Sequence, residues 1–487
     1  MKKLLCGALA VVSCWAAVGA EGEAAVTQAD LKALIERIAK LEAENKAQAV
    51  KIAELEGKVV GPAAVAAKSD EKSAPALVAE EGTKVSESGK VYTTAQGYSY
   101  YLADKLAGIF EPLSESGLKI TPYGWLAFEA AYNSRATDCD WTTDVVKKRG
   151  GRTSTLSMQD SILGLRFETP EKVNGWKISG KGEFDFAGGD QNSYDFHWRH
   201  LYFDATHDSG WSVLFGQTWH LWKMVAPSEI DGAWLENTGY PYRRSPQIRV
   251  TKKWEWEDSS LEARVGIVKG GPGMGGDRDG DGIQDNSSSA WPLVQGALVY
   301  DHKATWEESD RRWLVGIGGM YGRDRSHRMM DDGEGNPVYN GTDDEYDSKM
   351  IMLAASVPFL DKFTLTGQIF AGDNLGGIQG GIGQRVAYRE MGRKGREVST
   401  IGGFLDLSYA FNDRLTIAGG YGFDDPTDSE AEHAGGLLYN DRAYVNAIFK
   451  ILHNFRVGLE YARLNTKYSD VGNRDDDRIQ FSAWYDF

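Results

Sequence analysis

The sequence predicts an all-β protein, a 16-stranded antiparallel transmembrane β-barrel over residues 118–487 that is preceded by an amino-terminal coiled-coil helix. Three observations support this prediction. Apolar and polar residues alternate along sixteen segments, the connections between the segments alternate short and long, and the chain ends on an apolar-faced segment that finishes at Phe487. Such alternation is typical of barrel strands, because one face meets lipid and the other meets the lumen.

The first twenty residues have the pattern of a secretory signal peptide. Lys2 and Lys3 precede an apolar run over residues 4–12, and small residues end at Ala20, after which we expect cleavage. A competing interpretation makes Cys14 the lipidated first residue of a lipoprotein, but a barrel needs no lipid anchor. Because Cys6 and Cys14 leave with the signal, the mature chain keeps only Cys139 and cannot form an internal disulfide.

Residues 26–60 predict a coiled coil in the periplasm. From Leu31 to Val59 the apolar positions recur in alternating steps of three and four, which is a heptad seam, and Asn45 and Gln48 lie within that seam. The alternative is a lone surface helix, but nothing nearby would cover its apolar stripe. For residues 61–117 we predict a flexible linker, rich in Ala, Pro, Ser, Glu and Lys over residues 61–90, and a short helix before the barrel.

The predicted strands follow from residue 118. They begin near residues 118, 155, 175, 194, 210, 246, 259, 289, 311, 344, 363, 397, 414, 442, 454 and 476. The alternation is clearest where Leu365 and Ile369 oppose Thr366 and Gln368. Strands with this alternation require an apolar environment on one face and an aqueous environment on the other.

The connections indicate that the apolar surround is an outer membrane. Those that follow even-numbered strands are short and contain PEKVNG, HDSG, EDSS, LDK, NDR and LHN, whereas the intervening ones run to about twenty residues, as in 136–154, 222–245 and 270–288. Outer-membrane barrels have tight periplasmic turns and long external loops. An even strand count also places both chain ends in the periplasm, where the coiled coil is expected.

The last strand has an apolar face that ends the chain. Phe481, Tyr485 and Phe487 share this face, and the pattern resembles the signal recognised by the outer-membrane assembly machinery. We therefore expect a bacterial outer-membrane protein with that machinery and outer-membrane lipid as partners.

Composition excludes several other classes of protein. The formal charge of -16 becomes -18 when Lys2 and Lys3 are removed, which disfavours nucleic-acid binding. After the signal peptide no run approaches eighteen apolar residues, so we expect no helical membrane span. The eight His show no metal-ligand spacing and no Ser or Cys has a nucleophile setting, so we predict no enzyme and no catalytic residue.

A barrel of sixteen strands is wide enough for a water-filled lumen, so the predicted function is passive diffusion of small hydrophilic solutes. We expect the third external loop, residues 222–245, to fold inward and narrow the pore. The predicted pore-lining residues are Glu229, Asp231, Glu236, Arg243 and Arg244 on this loop, and Arg166, Lys177, Lys181, Arg249 and Lys253 on strands. This basic ladder favours small anions such as carboxylates. The alternative is that these are ordinary solvated wall charges with balancing acids.

The run DRDGDGIQD in the fourth external loop has the spacing of a calcium-binding loop. Its carboxylates are those of Asp277, Asp279, Asp281 and Asp285, arranged around a turn-making Gly282. Ser288 stands where a bidentate Glu is usual, and Asp-Gly runs are also common in solvated loops. Calcium is the one cofactor that the sequence suggests, and none is required.

Three runs resemble the DcaP-like trimeric porins: RHLYFD at 199–204, FGQTWHLW at 215–222 and RRSPQIRV at 243–250. The resemblance implies a homotrimer with a periplasmic coiled coil. It also implies uptake of small, often negatively charged solutes through an arginine-lined constriction, with Arg243, Arg244 and Arg249 as candidates. The phosphate-selective porins are a neighbouring possibility. A different class of function is a structural tether that joins the outer membrane to peptidoglycan through the coiled coil.

Overall fold

The computed structural model describes residues 117–139, 141–188, 194–270, 289–304, 311–331, 337–360, 362–390 and 392–487. In these ranges sixteen antiparallel strands form one closed barrel, the second strand being broken into two pieces, and this confirms the predicted all-β barrel. The predicted signal peptide, coiled coil, calcium-like loop and all of the linker except its last residue lie outside the described residues. Of the helices in the described ranges, none is long and apolar enough to cross a membrane.

The barrel strands occur where the alternation predicts them. They are β1 (Lys119–Asn133), β2 (Thr153–Ser157 and Ile162–Glu168), β3 (Trp176–Asp185), β4 (His197–His207), β5 (Trp211–Trp219), β6 (Arg244–Glu255), β7 (Ser259–Val268), β8 (Ser289–Lys303), β9 (Arg312–Asp331), β10 (Pro337–Phe359), β11 (Phe363–Asp373), β12 (Ser399–Ala410), β13 (Leu415–Pro426), β14 (Leu437–Leu452), β15 (Phe455–Tyr468) and β16 (Gly472–Asp486). Strands β10, β14 and β16 begin several residues before their predicted starts. Each extends at the end that bears the long loops, where no lipid imposes alternation.

Three smaller elements complete the described fold. A 3-10 turn (Gly376–Ile378) and a two-stranded ribbon (Val386–Ala387 with Arg396–Glu397) lie between β11 and β12. A short α-helix (Asp428–Ala434) lies between β13 and β14.

Pairing of β1 with β16 closes the barrel. The register runs from Trp125 opposite Asp486 to Asn133 opposite Arg478. Phe487 continues the pairing, since its amide nitrogen donates to the Gly124 oxygen at 3.0 Å and its oxygen accepts from the Gly124 nitrogen at 3.1 Å. A Cβ at Gly124 would lie 2.2 Å from the Ile162 oxygen and 2.9 Å from the Phe487 ring. Glycine at this position therefore lets the last residue close the sheet.

The two faces of the strands have different surroundings. In β11 the outward Ile369 is 49% exposed, whereas the lumen-facing Gln368 is 7% exposed. Outward aromatic rings cluster near the short-turn end, where Phe363 stacks on Phe359 and contacts Tyr409. An exposed apolar band with aromatic residues at its margin is typical of a surface in contact with lipid.

Connections are short at one end of the barrel and mostly long at the other. Residues 208–210, 256–258 and 453–454 form tight turns, whereas residues 134–152, 220–243 and 374–398 form long connections at the opposite end. The connection between β15 and β16 differs from the expected length, because it contains only residues 469–471. Both strands extend there, so the additional chain forms sheet instead of loop.

Candidate functional site

The connection between β5 and β6, residues 220–243, runs inside the barrel; we call it loop 3. The Leu221 amide donates to Gln295 Oε1 on β8 at 3.2 Å, and the Ser228 hydroxyl donates to Asp406 Oδ1 on β12 at 2.7 Å. The Ile230 amide donates to Glu460 Oε2 on β15 at 2.9 Å. On its return the loop passes β11, where Gln368 donates to the Gly239 oxygen at 3.2 Å. Loop 3 thus covers the wall from β7 to β16, and the wall from β2 to β6 faces it.

Buried ion pairs hold loop 3 against the barrel wall at strands β14, β15 and β16. We call Glu229, Asp231, Arg442, Glu460 and Arg478 the anchor. The Nε of Arg442 lies 2.5 Å from Glu229 Oε1, its Nη2 lies 2.8 Å from Asp231 Oδ2, and the Nε of Arg478 lies 3.0 Å from that same oxygen. All five side chains are buried. Glu229 and Asp231, which the sequence assigns to the pore lining, therefore lie against the wall and not on the open lumen.

The anchor changes the acidity of its loop carboxyls in opposite directions. Burial raises the pKa of Glu229 well above its ordinary value, although Arg442 opposes this effect. Burial also acts to raise the pKa of Asp231, but Arg478 and Arg442 together outweigh it and hold that pKa below its ordinary value. Asp231 is therefore the carboxylate that keeps its charge and holds the loop.

A β-bulge in β4 turns two consecutive side chains to the lumen. His200 pairs with Glu183 while Trp198 pairs with Phe184, so Arg199 is the extra residue. Its Nε donates to Glu183 Oε1 at 2.9 Å and its Nη1 donates to Asp185 Oδ2 at 2.7 Å. Strict alternation cannot identify Arg199 as a lumen residue, so this residue is absent from the predicted pore lining.

Four cations face loop 3 or extend from it near the bulge: Lys181, Arg199, Lys223 and Arg244, which we call the cation cluster. Lys181 Nζ pairs with Glu183 Oε2 at 2.8 Å. Lys223 Nζ instead lies 3.6 Å from the ring centroid of Trp219 and 4.4 Å from that of Trp234, and the Arg244 guanidinium lies 4.5 Å from Trp219. Among the described residues, neither Lys223 nor Arg244 has a carboxylate in ion-pair distance.

The position of Lys223 lowers the pKa of its amine. Burial is the main cause, and the nearby Arg244 and Arg199 add to it, so the pKa falls to about 7. Across the cluster, burial raises the pKa of Glu236, which accepts a hydrogen bond from the Tyr242 hydroxyl at 3.1 Å, to about 7. Both groups therefore change charge near neutral pH.

The other predicted pore residues are spread along the wall. Arg166 stacks on Tyr123, with its guanidinium 4.2 Å from the ring centroid, and Arg249 is half-buried on β6. Lys177 pairs with Glu168 at 3.0 Å and Lys253 with Glu255 at 2.5 Å, both towards the short-turn end. Arg243 lies apart from the cation cluster, because its Nη1 donates to the Gly377 oxygen between β11 and β12 at 2.7 Å. The structure thus brings only Lys181 and Arg244 of the predicted cations together.

The described ranges also bear on the metal-binding and cysteine predictions. No group of three or more His, Cys, Asp or Glu side chains there is placed to hold a metal ion. The predicted calcium ligands Asp277, Asp279, Asp281 and Asp285 lie outside the described residues. Cys139 is a half-buried free thiol.

No protein-family model matches the sequence, and no curated protein sequence matches it. Among solved structures, the outer-membrane channel DcaP of Acinetobacter baumannii aligns at 20% identity over 76% of this chain and 97% of that chain, with a TM-score of 0.61. The barrel has the fold of an outer-membrane channel. The resemblance to DcaP-like porins that the sequence shows is thereby confirmed in fold.

Two further structures align more loosely. OmpF of Salmonella typhi is 15% identical over 77% of this chain and 99% of its own, with a TM-score of 0.47. The trimer form of OmpT of Vibrio cholerae is 12% identical over 76% of this chain and 99% of its own, with a TM-score of 0.48.

Proposed function

We propose that this protein is an outer-membrane channel for passive diffusion of small hydrophilic solutes, with a preference for small anions such as carboxylates. One observation carries the proposal: loop 3 is fixed to one wall of the lumen by the anchor, and the cation cluster lies on and opposite it. The passage between them is the constriction. A loop that narrows a wide barrel sets which solutes pass and at what size.

Charge at the constriction favours anions. Glu183 and Asp185 neutralise Lys181 and Arg199 through direct ion pairs. Lys223 and Arg244 contact aromatic faces instead, so their charge is available to a passing solute. Hydrated anions are attracted to such cations, and the attraction is strongest where the passage is narrow and partly shielded from water.

The surroundings of the barrel follow from its outer surface. The exposed apolar band and the aromatic rings at its margin support placement in the outer membrane, with lipid as a partner. Phe481 and Tyr485 lie outward and exposed on β16, which supports their proposed role in a signal read by the assembly machinery. We further propose a homotrimer with the coiled coil in the periplasm, where it would also reach peptidoglycan; the heptad seam of residues 26–60 supports this.

Conductance across a planar lipid bilayer tests the proposed function. Purified, folded full-length protein should insert and produce stable steps of ion current in KCl. The same preparation unfolded by heat in detergent serves as the control and should produce none. Absence of steps from folded protein would rule out the channel.

A further inference from the structure

A second long connection, between β1 and β2, also folds into the mouth of the barrel; we call residues 134–152 loop 1. Its Val146 is fully buried in an apolar cluster that also contains side chains of loop 3. On β14, Asn440 donates from Nδ2 to the main-chain oxygens of Asp144 at 2.6 Å and of Asn237 at 2.9 Å. Loop 1 and loop 3 are therefore held side by side at the end of the barrel that bears the long loops.

Two carboxyl groups of loop 1 face each other. Asp138 and Asp144 hydrogen-bond through their side chains. Asp138 Oδ1 also accepts from the amides of Asp144 and Val145 at 3.3 and 3.0 Å. Two carboxylates in contact repel each other when both are ionised, so the pair requires a shared proton or a cation. In the described ranges no lysine or arginine pairs with Asp144, and Lys148 of the same loop pairs with Asp470 at 2.9 Å.

The Asn237 side chain of loop 3 is aimed at this carboxyl pair. It is only 7% exposed, and its Nδ2 donates to Asp144 Oδ2 at 2.5 Å. Its Oδ1 is buried and has no hydrogen-bond partner within the part of the chain that the structure describes. A half-turn of the amide group exchanges nitrogen and oxygen, so Oδ1 can face the carboxyl pair in place of Nδ2. A buried acceptor without a partner is destabilising, and a bound cation would satisfy it.

The charge and the donor atoms favour a hard divalent cation. Glu236 lies near enough to Asp144 to add to the negative potential around it. Carboxylate and amide oxygens are ligands of Ca²⁺, which accepts about six to eight oxygen atoms in irregular geometry. Because the pair supplies only two carboxylates, main-chain oxygens and water complete the coordination. Asp138 is exposed, so the ion can enter from the surrounding water. Mg²⁺ requires a regular octahedron, which side chains from two separate loops suit less well.

We propose that Asp138, Asp144 and Asn237 form a Ca²⁺ site that joins loop 1 to loop 3. The ion replaces the shared proton of the carboxyl pair and holds the returning half of loop 3, whose first half is held by the anchor. The site is separate from the calcium-like run of residues 277–285, which belongs to another loop. It does not depend on the proposed function, because the ion can bind whether or not the barrel conducts.

Isothermal titration calorimetry with CaCl₂ tests the proposal on folded, detergent-solubilised full-length protein that has been freed of divalent cations with EGTA. The reference protein carries Asp279→Asn with Asp281→Asn, which removes the calcium-like run from the measurement. It should bind one Ca²⁺ per chain, with a Kd on the order of 10⁻⁴–10⁻³ M, as in extracellular calcium modules. MgCl₂ should bind more weakly.

Three variants of the reference protein locate the ion. Asp144→Asn should weaken Ca²⁺ binding at least about tenfold, because one of two carboxylate ligands is lost. Asn237→Gly should weaken it about threefold, because a neutral ligand is lost; glycine suits the left-handed backbone at this position, where φ is 53°. Asp470→Asn is the matched control, since this carboxylate is exposed at the same end of the barrel and should leave the affinity unchanged.

The outcomes separate the calcium site from the channel. Ca²⁺ binding to folded Asp144→Asn that is as tight as to the reference protein overturns the proposal, as does tighter binding of Mg²⁺ than of Ca²⁺. If Asp144→Asn fails to fold, Asn237→Gly and the order of the two metals decide. Ca²⁺ binding without KCl conductance in the bilayer would reject the proposed function and keep the site, whereas conductance without Ca²⁺ binding would do the reverse.

Discussion

The two sides of the lumen use the same residue types in opposite ways. At the anchor, Arg442 and Arg478 are buried and each lies within 3.0 Å of a carboxylate oxygen. In the cation cluster, Lys223 and Arg244 contact the ring of Trp219 and, within the part of the chain that the structure describes, pair with no carboxylate. Charge that is paired and buried fixes the position of a loop, whereas charge held by an aromatic face remains available to a solute.

Physical chemistry explains why both arrangements are stable. Burying an ion pair removes both charges from water, and this desolvation penalty is offset by good geometry and additional hydrogen bonds. Removing one partner is strongly destabilising, because it leaves a buried charge without compensation. A cation on an aromatic face keeps part of its attraction without neutralisation. The comparison therefore predicts large structural effects at the anchor and electrostatic effects at the cation cluster.

Replacing Arg442 at the anchor should have the largest effect. Arg442→Met leaves Glu229 and Glu460 without their shared partner, and we expect a loss of about 3–5 kcal/mol in the free energy of unfolding. Loop 3 should detach, so single-channel conductance should rise and become variable. Arg463→Met is the control, because this arginine is 56% exposed and its ion pairs lie on the outer surface of β15. Unchanged conductance in folded Arg442→Met would contradict the role of the anchor.

Replacing Arg244 in the cation cluster should change ion selectivity. A unit charge about 5 Å from an ion in water contributes about 0.8 kcal/mol, which corresponds to a roughly fourfold change in the permeability ratio. Arg244→Gln should therefore move the reversal potential in a KCl gradient towards the equilibrium potential of potassium. The double substitution Arg243→Ala with Arg244→Ala should produce a shift that is at least as large. A variant that keeps the wild-type melting temperature but shows no shift in reversal potential would contradict the proposed difference between the anchor and the cation cluster.

The pH dependence of ion selectivity should follow the protonation of the Lys223 amine. Because its pKa is about 7, the amine is charged below pH 7 and neutral above it, so anion preference should fall as the pH rises through 7. Glu236, with a pKa of about 7, becomes negative over the same range and acts in the same direction. Lys223→Met should reduce the pH dependence of the reversal potential, and Lys223→Met with Glu236→Gln should remove it.

The smallest effect is expected at Lys253. This cation lies 2.5 Å from Glu255 near the short-turn end of β6, so its charge is already balanced. Lys253→Gln should change the permeability ratio by less than about twofold, because exposed ion pairs contribute little. A shift as large as that of Arg244→Gln would show that pairing does not decide which cations attract solutes.

The strands could be predicted from the sequence because alternation is a local signal. Strands β7, β8 and β11 begin at the predicted residues, and Phe487 closes the sheet as its pattern indicates. Local alternation fails at the β4 bulge, so Arg199 was missed. Alternation also does not predict that the connection between β15 and β16 is short.

The site was less predictable because its contacts are distant in sequence. Asp231 and Arg442 are 211 residues apart, and no local pattern links them. Glu229 and Asp231 therefore seemed free to line a pore, when in fact they hold the loop. Lys223 directly follows the run TWHLW, and this group of aromatic residues just before a lysine is the one local signal that could have identified it.

The reversal potential of the wild-type channel tests the central claim most directly. Folded full-length protein in a planar bilayer, held between unequal KCl concentrations at pH 6, should conduct with a reversal potential displaced towards that of chloride. The same measurement on Lys223→Met with Arg244→Gln should lie closer to that of potassium. A wild-type reversal potential on the potassium side would contradict the claim that Lys223 and Arg244 at the constriction select anions.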